Sequence, residues 1–234
     1  MLPTLVPENN GLLSALPHKD RQRLLALCEP VTLAFADVLS SPGERIRQVY
    51  FPTGSIIALS APLDDQVSLG VGLVGDEGML GVSLILGVSR ALQHAVVQGA
   101  GSALRMDRVP FCQALKHSEP LQDALKHYLY VLMVQLGQSA ACSHFHVVVV
   151  RLARWLLMTQ ERAHSDHFHV THEFLAGMLG VRRVGITKAA MALHDQHLIS
   201  YSRGEIRILD QHGLEDASCG CYEADKAIYE RLMG

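Results

Sequence analysis

Residues 171–208 hold two short helical patterns separated by a three-residue break and followed by two strand-length alternations, and this order constrains the fold more than any other feature of the chain. Thr171 offers a hydroxyl cap to the first pattern, although Phe174 stands where a capping box would carry glutamate. Phe174, Leu175, Met178 and Leu179 recur at helical intervals. Gly180 then stands where a helix that ends with positive φ takes glycine, and the turn "GVR" leads at once into the second pattern. There Ile186, Ala190 and Leu193 step by 4 and 3 and define a buried face. Val184, Thr187, Lys188 and Met191 fall on the opposite face, with Arg182 and Arg183 in the first turn. The segment "LISYSRGEIRIL" reads as a β-hairpin turning at Arg203 and Gly204. Helix, turn, helix and hairpin in this order make a winged helix, whose second helix has the shape to enter a major groove.

Charge supports a local rather than a global reading. The chain carries 20 Lys and Arg against 23 Asp and Glu, a formal net charge of -3, so its overall field does not attract a polyanion. Residues 182–207 are the exception, with Arg182, Arg183, Lys188, Arg203 and Arg207 against Asp195 and Glu205. A solvated helix start would also explain the arginine pair taken alone. It does not explain two apolar residues, Val184 and Met191, on the same outward face, whereas contact with a thymine methyl accounts for one of them.

Upstream the texture differs. Residues 31–106 are short apolar runs punctuated by turn formers at 41–44, 51–55, 61–66, 74–78 and 98–102, a spacing that favours an antiparallel sandwich or barrel. Within them Val67, Leu69, Val71 and Leu73 alternate with Ser68 and two glycines. Residues 11–28 fit a short amphipathic helix or helix pair. Between 109 and 161 glycine nearly vanishes, and Leu121, Leu125, Tyr128, Leu132, Gln135 and Ser139 advance by 4, 3, 4, 3 and 4. That seam suits a helix meeting the same helix of a second chain, and also suits one packed on its own domain. The fold expected is α+β: an N-terminal antiparallel, jelly-roll-like β-roll over residues 1–116, a long dimerisation helix over 117–146, and a winged helix-turn-helix over 147–234.

On "VTHEFLAGMLGVRRVGITKAAMALHDQHLISYSRGEIRIL" the chain resembles the DNA-binding domain of the Crp/Fnr family of bacterial transcription regulators, and the order of its three parts resembles that family throughout. The resemblance implies a homodimer on double-stranded DNA with an inverted-repeat operator, its recognition helices about 34 Å apart. Thr171 then takes a phosphate-touching position, Arg183 the arginine that grips guanine, and Lys188 a later basic position; Arg182, Val184, Thr187 and Arg203 complete the expected contact set. Arg182 replaces a common serine and Val184 a frequent glutamate, which points to an altered operator. RNA polymerase is admitted as a further partner. In the stretch "GMLGVSLILGVSRALQHAVV" the family's ribose-binding glutamate and phosphate-binding Arg-Ser pair are matched by Val82 and by Gln93-His94. Arg90 and Glu77 lie near. Binding of cyclic AMP in the family's usual manner is therefore not expected, and Val82, Ser83, Arg90, Gln93 and His94 outline a pocket for another effector or for none.

Weaker signals remain. His164, His167, His169 and His172 have spacings that could place two imidazoles on a metal, yet no cysteine or carboxylate set accompanies them; they read as a polar connection, with a metal-responsive regulator as the alternative. Cys219-x-Cys221 is half a site, and Cys28, Cys112 and Cys142 read as small core residues, so no metal and no cofactor is expected. No nucleophile elbow, P-loop, zinc-protease motif or dinucleotide fingerprint is present, which argues against an enzyme. A degenerate winged helix serving protein interaction is the other alternative. Five scattered cysteines, the lack of a signal-peptide pattern, and apolar runs too short to span a bilayer fit a reduced, cytoplasmic protein without membrane contact.

Overall fold

The computed structural model describes residues 10–63 and 68–234. Val67, the first residue of the alternating run, lies outside the described residues. Asn10 is a buried helix cap: its oxygen accepts from Leu13 N at 3.2 Å, and its amide donates to the carbonyls of Pro52 and Gly78 at 2.9 and 2.8 Å. Helices α1 (Gly11–Ser14) and α2 (His18–Leu25) follow as a pair.

Among the described residues seven strands form the roll: β1 (Glu29–Leu33), β2 (Val38–Ser40), β3 (Gln48–Pro52), β4 (Ile56–Pro62), β5 (Ser68–Val74), β6 (His94–Gly99) and β7 (Gly101–Asp107). All pair antiparallel, in two sheets of order β1-β7-β3 and β2-β6-β4-β5. Leu33, Tyr50, Ile57, Val74, Ala95, Val97 and Ala103 fill one core of the roll. The alternation expected along β5 is broken. Leu59 pairs with Gly72 and Ser60 with Gly70, so Val71 is an extra, bulged residue. The bulge puts Gly70, opposite Ser60, on the same face as Leu73, opposite Ala58.

Helix α3 (Arg108–His117) leads into α4 (Glu119–Phe145), capped by Ser118, whose hydroxyl accepts from Leu121 N at 3.3 Å, with Pro120 in the first turn, where a missing amide costs little. The seam expected to meet a second chain is largely spent within this one. Leu121, Leu125 and Tyr128 are at most 1% exposed and pack with Leu12, Phe51, Met79 and Phe111, while Leu132 joins them partly buried. Periodicity located an apolar face correctly but not its partner. The outward face of α4 carries Tyr130, Met133 and Leu136 instead, followed by Gly137 and Ala140.

After a break at His146, helix α5 (Val148–Ala163) buries Leu152, Ala153, Trp155, Leu156 and Leu157. Around it stand β8 (His167–His169), α6 (His172–Leu179), α7 (Arg183–Asp195), β9 (Ile199–Ser202), β10 (Glu205–Ile208), α8 (Gln211–Ala217) and α9 (Cys221–Met233). The His-rich stretch is no mere connection, because β8 pairs with β10 to give a three-stranded wing of order β8-β10-β9.

The winged helix lies directly on the roll. Ile56, Ala58 and Leu73 belong to one hydrophobic cluster with Leu152, Trp155, Leu175, Met178 and Ile186. A Cβ on Gly70 would stand 2.6 Å from the Met178 carbonyl oxygen and 2.7 Å from its Cα, so only glycine allows α6 this close to β5. Arg162 adds an ion pair to Glu77 at 2.9 Å, and His164 a contact to Asp76 at 2.7 Å. Gly70→Val is therefore expected to lift the winged helix from the sheet. Trp155, the single tryptophan, is 6% exposed at this junction, so its fluorescence should shift to the red, with a lower midpoint of thermal unfolding. Emission unchanged from wild type would show that the contact is not tight.

Candidate nucleic-acid interface

Local chemistry sets the two helices. Thr171 caps α6, its hydroxyl accepting from Phe174 N at 3.1 Å. Gly180 ends α6 at φ 61°, and Arg182 is the extended residue from which α7 starts. The buried side of α7 is Ile186, Ala189, Ala190 and Leu193. Arg182, Arg183 and Lys188 are exposed on its free side, and Val184 and Met191 are each 59% exposed. Arg203 and Gly204 turn the hairpin with φ of 51° and 87° and put Arg203 at its exposed tip. Arg207 is less available, being paired with Asp166 at 3.1 Å. Thr171, Arg182, Arg183, Val184 and Lys188 thus come together along the exposed starts of α6 and α7, with Arg203 at the tip of the neighbouring wing.

Thr187 is employed differently from the expected base contact. Its hydroxyl donates to the Arg183 carbonyl at 3.2 Å, which leaves the oxygen to accept from His172 Nδ1 at 3.1 Å. The His172 ring also stacks on Tyr201, centroids 4.3 Å apart. His172 ties the start of α6 to the first turn of α7 and to the wing, a role that no local sequence pattern announces. Its Nε2 is buried without a partner among the described residues, so protonation there would create an N–H that none of them accepts. Burial first, and then the charge of Arg183, hold its pKa below the ordinary 6.5.

The other histidines of the run do not converge on a metal. His164 meets Asp76, His167 meets Asp166 at 3.3 Å, and His169 meets Glu205 at 2.9 Å with its ring edge-on to Phe35. Each imidazole has its own partner, so the metal-responsive alternative loses its site. Among the described residues the fold gathers a set of at least three potential ligands elsewhere, at Cys142, His146, Cys219 and Cys221. Cys142 is therefore more than an isolated core residue, and Cys219-x-Cys221 is not alone.

A cavity of about 790 Å³ separates the roll from α4. Val82, Ser83, Arg90 and Gln93 are among the residues that line it, whereas His94, the first residue of β6, is not among its walls. Arg90 donates to the Gly43 carbonyl at 2.7 Å. Arg45 and Arg47 also line it, and Leu129, Leu132, Met133 and Leu136 supply an apolar wall from α4.

Because His172 is harder to protonate folded than unfolded, its contribution to stability is intact above pH 6.5 and falls as pH drops through that value toward the lower folded pKa. Urea unfolding between pH 7.5 and about 5 should therefore show a shallower loss of stability in His172→Gln than in wild type. Equal slopes would place the titration elsewhere.

Residues 150–217 match the family described as the Crp-like helix-turn-helix domain. Among curated proteins there is no match. Solved structures agree over nearly the whole fold. FixK2 from Bradyrhizobium japonicum superposes with a TM-score of 0.70 at 13% identity, covering 82% of this chain and 98% of that one. A Crp/Fnr-family transcriptional regulator from Thermus thermophilus gives 0.66 at 21% identity, covering 81% and 98%. The c-di-GMP-responsive global regulator CLP of Xanthomonas campestris gives 0.66 at 16%, covering 82% and 99%. Residues 150–217 thus resemble a Crp-like helix-turn-helix domain, set in a chain whose fold is similar to that of a Crp/Fnr-family transcriptional regulator.

Proposed function

We propose that this protein regulates transcription by binding an inverted-repeat operator as a homodimer, α7 lying in the major groove. The observation that carries the reading is the outward face of α7. Four unburied residues, Arg182, Arg183, Val184 and Lys188, stand on its first turns beside the α6 cap Thr171. Arg183 has the planar fork that grips guanine O6 and N7, and Lys188 and Arg203 would neutralise phosphates. Val184 offers an apolar contact where the family often carries glutamate, which favours thymine over cytosine at that base step.

The second copy is proposed to pack on the outward face of α4. Tyr130, Met133 and Leu136 are 53%, 62% and 40% exposed, and Gly137 and Ala140 allow close approach. Because Met133 and Leu136 also wall the cavity, an effector held there would touch the dimer contact directly. The arginines at the cavity suit an acidic ligand with an apolar body, and the missing glutamate and Arg-Ser pair argue against cyclic AMP. A ligand that changes how the two α4 helices meet changes the spacing of the two α7 helices.

Operator sites selected from random DNA should be inverted repeats, with binding that weakens steeply as salt rises. Arg183→Ala is expected to lose about 1–3 kcal/mol of discrimination at one position of each half-site. Lys188→Ala should weaken all sequences alike and flatten the salt dependence. Undiminished affinity and unchanged base preference in Arg183→Ala would refute the assignment. In parallel, Met133→Glu should yield monomers by analytical ultracentrifugation where the wild type is a dimer.

A further inference from the structure

The end of α4 and the start of α9 bring together four side chains that far-apart stretches of sequence supply. Cys142 and His146 lie four residues apart and so project from one side of the last turn of α4 and its cap. Cys219 and Cys221 flank Gly220 where α9 begins. One ligand atom from each lies within 4.8 Å of all the others. Cys142 Sγ and Cys219 Sγ are 3.6 Å apart, and Cys221 Sγ and His146 Nδ1 are 3.8 Å apart. A tetrahedral zinc ion with sulfur at about 2.3 Å and imidazole nitrogen at about 2.0–2.1 Å requires edges of about 3.8 Å between sulfurs and about 3.6 Å between sulfur and nitrogen. The four donors already stand at close to that spacing.

We propose that Cys142, His146, Cys219 and Cys221 form a four-coordinate zinc site that fastens α9 to the end of α4. Three thiolates and one imidazole are a soft donor set that favours zinc over harder cations, and with all four places taken by protein the site is structural. The group is too tight for an iron-sulfur cluster, which must fit bridging sulfides between its cysteines. The three cysteines are at most 8% exposed, so the ion would be shielded from water. Zinc with three thiolates carries a net negative charge, and the neighbourhood provides for it: the guanidinium groups of Arg154 and Arg151 both lie close enough to Cys142 for their charges to interact with it. Small apolar packing would account for the cysteines alone but not for an imidazole nitrogen aimed at them. The remaining cysteines, Cys28 and Cys112, belong to a different cluster beside α1 and α3.

The location gives the ion its effect. Cys142 and Cys219 are 77 positions apart, and the α4–α5 break and the whole winged helix lie between them. A bond across that interval closes the domain at its base and sets where α9 lies on the dimer helix. This inference does not depend on DNA binding and is tested without it.

Full-length protein purified under reducing conditions and without chelator is expected to contain one zinc per chain by plasma mass spectrometry. Cobalt(II) added to metal-free protein should give the intense visible bands of tetrahedral, thiolate-bound cobalt. The Cys219→Ser/Cys221→Ser pair should lose both signals, and the Cys28→Ser/Cys112→Ser pair should keep both. His146→Cys should retain the ion and move the cobalt bands toward those of four thiolates, a change that misfolding does not produce. Hydrogen exchange in α9 should quicken several-fold when zinc is withdrawn by a chelator. Metal-free wild type that takes up no cobalt, uptake that survives Cys219→Ser/Cys221→Ser, or His146→Cys with wild-type cobalt bands would overturn the proposal.

Discussion

Helix α5 is the strut on which the molecule is assembled, and its three buried or half-buried arginines determine how. Arg151 donates to the Leu179 carbonyl and so satisfies the end of α6, where the turn before α7 begins. Arg154 pairs with Asp225 of α9 and reaches Ser139 of α4 at 3.3 Å. Arg162 pairs with Glu77 of the roll while also donating to its own helix at Met158. Burial works against the charge of Arg162, and Glu77 with Glu161 more than offsets it. For Asp225 burial is the stronger influence and keeps its pKa above the ordinary range despite Arg154. Removing one member of such a pair typically costs about 3–5 kcal/mol, because the other is left charged and dry. The roll, α4, the helix-turn-helix and the terminal helix are all held by arginines of the one helix α5.

Apolar packing and ionic contacts reinforce each other at the junction. The cluster that fills the winged helix runs on without interruption into Ile56, Ala58 and Leu73 of the roll. Any rotation of the winged helix must therefore expose that apolar surface as well as break the Arg162–Glu77 pair.

What could be read in the sequence was local. Thr171 as a cap, Gly180 as a left-handed stop, Ile186 and Leu193 as core, and the Arg203-Gly204 turn all follow from neighbours within a few residues. The α4 seam shows where such reading ends: its period identifies an apolar face, but Leu121, Leu125 and Tyr128 face their own roll rather than a second chain. The strand β8 is only three residues long and exists because β10 lies beside it, so histidine-rich polarity concealed it. His172 and Thr187 meet across a turn, and Cys142 and Cys219 across most of a domain; neither pairing has a spacing that sequence alone could register.

The bulge in β5 has a consequence for how this architecture can diverge. It exists because β4 offers no residue opposite Val71. Were one added between Leu59 and Ser60, Val71 would pair, strict alternation would return, and Gly70 would turn away from the face it shares with Leu73. Leu69 would then be presented there, and a leucine cannot occupy the gap in which Met178 now rests against bare backbone. Whether the winged helix lies on the roll is thus governed by the register of one strand pair, and a single-codon insertion could release it while every existing side chain is kept.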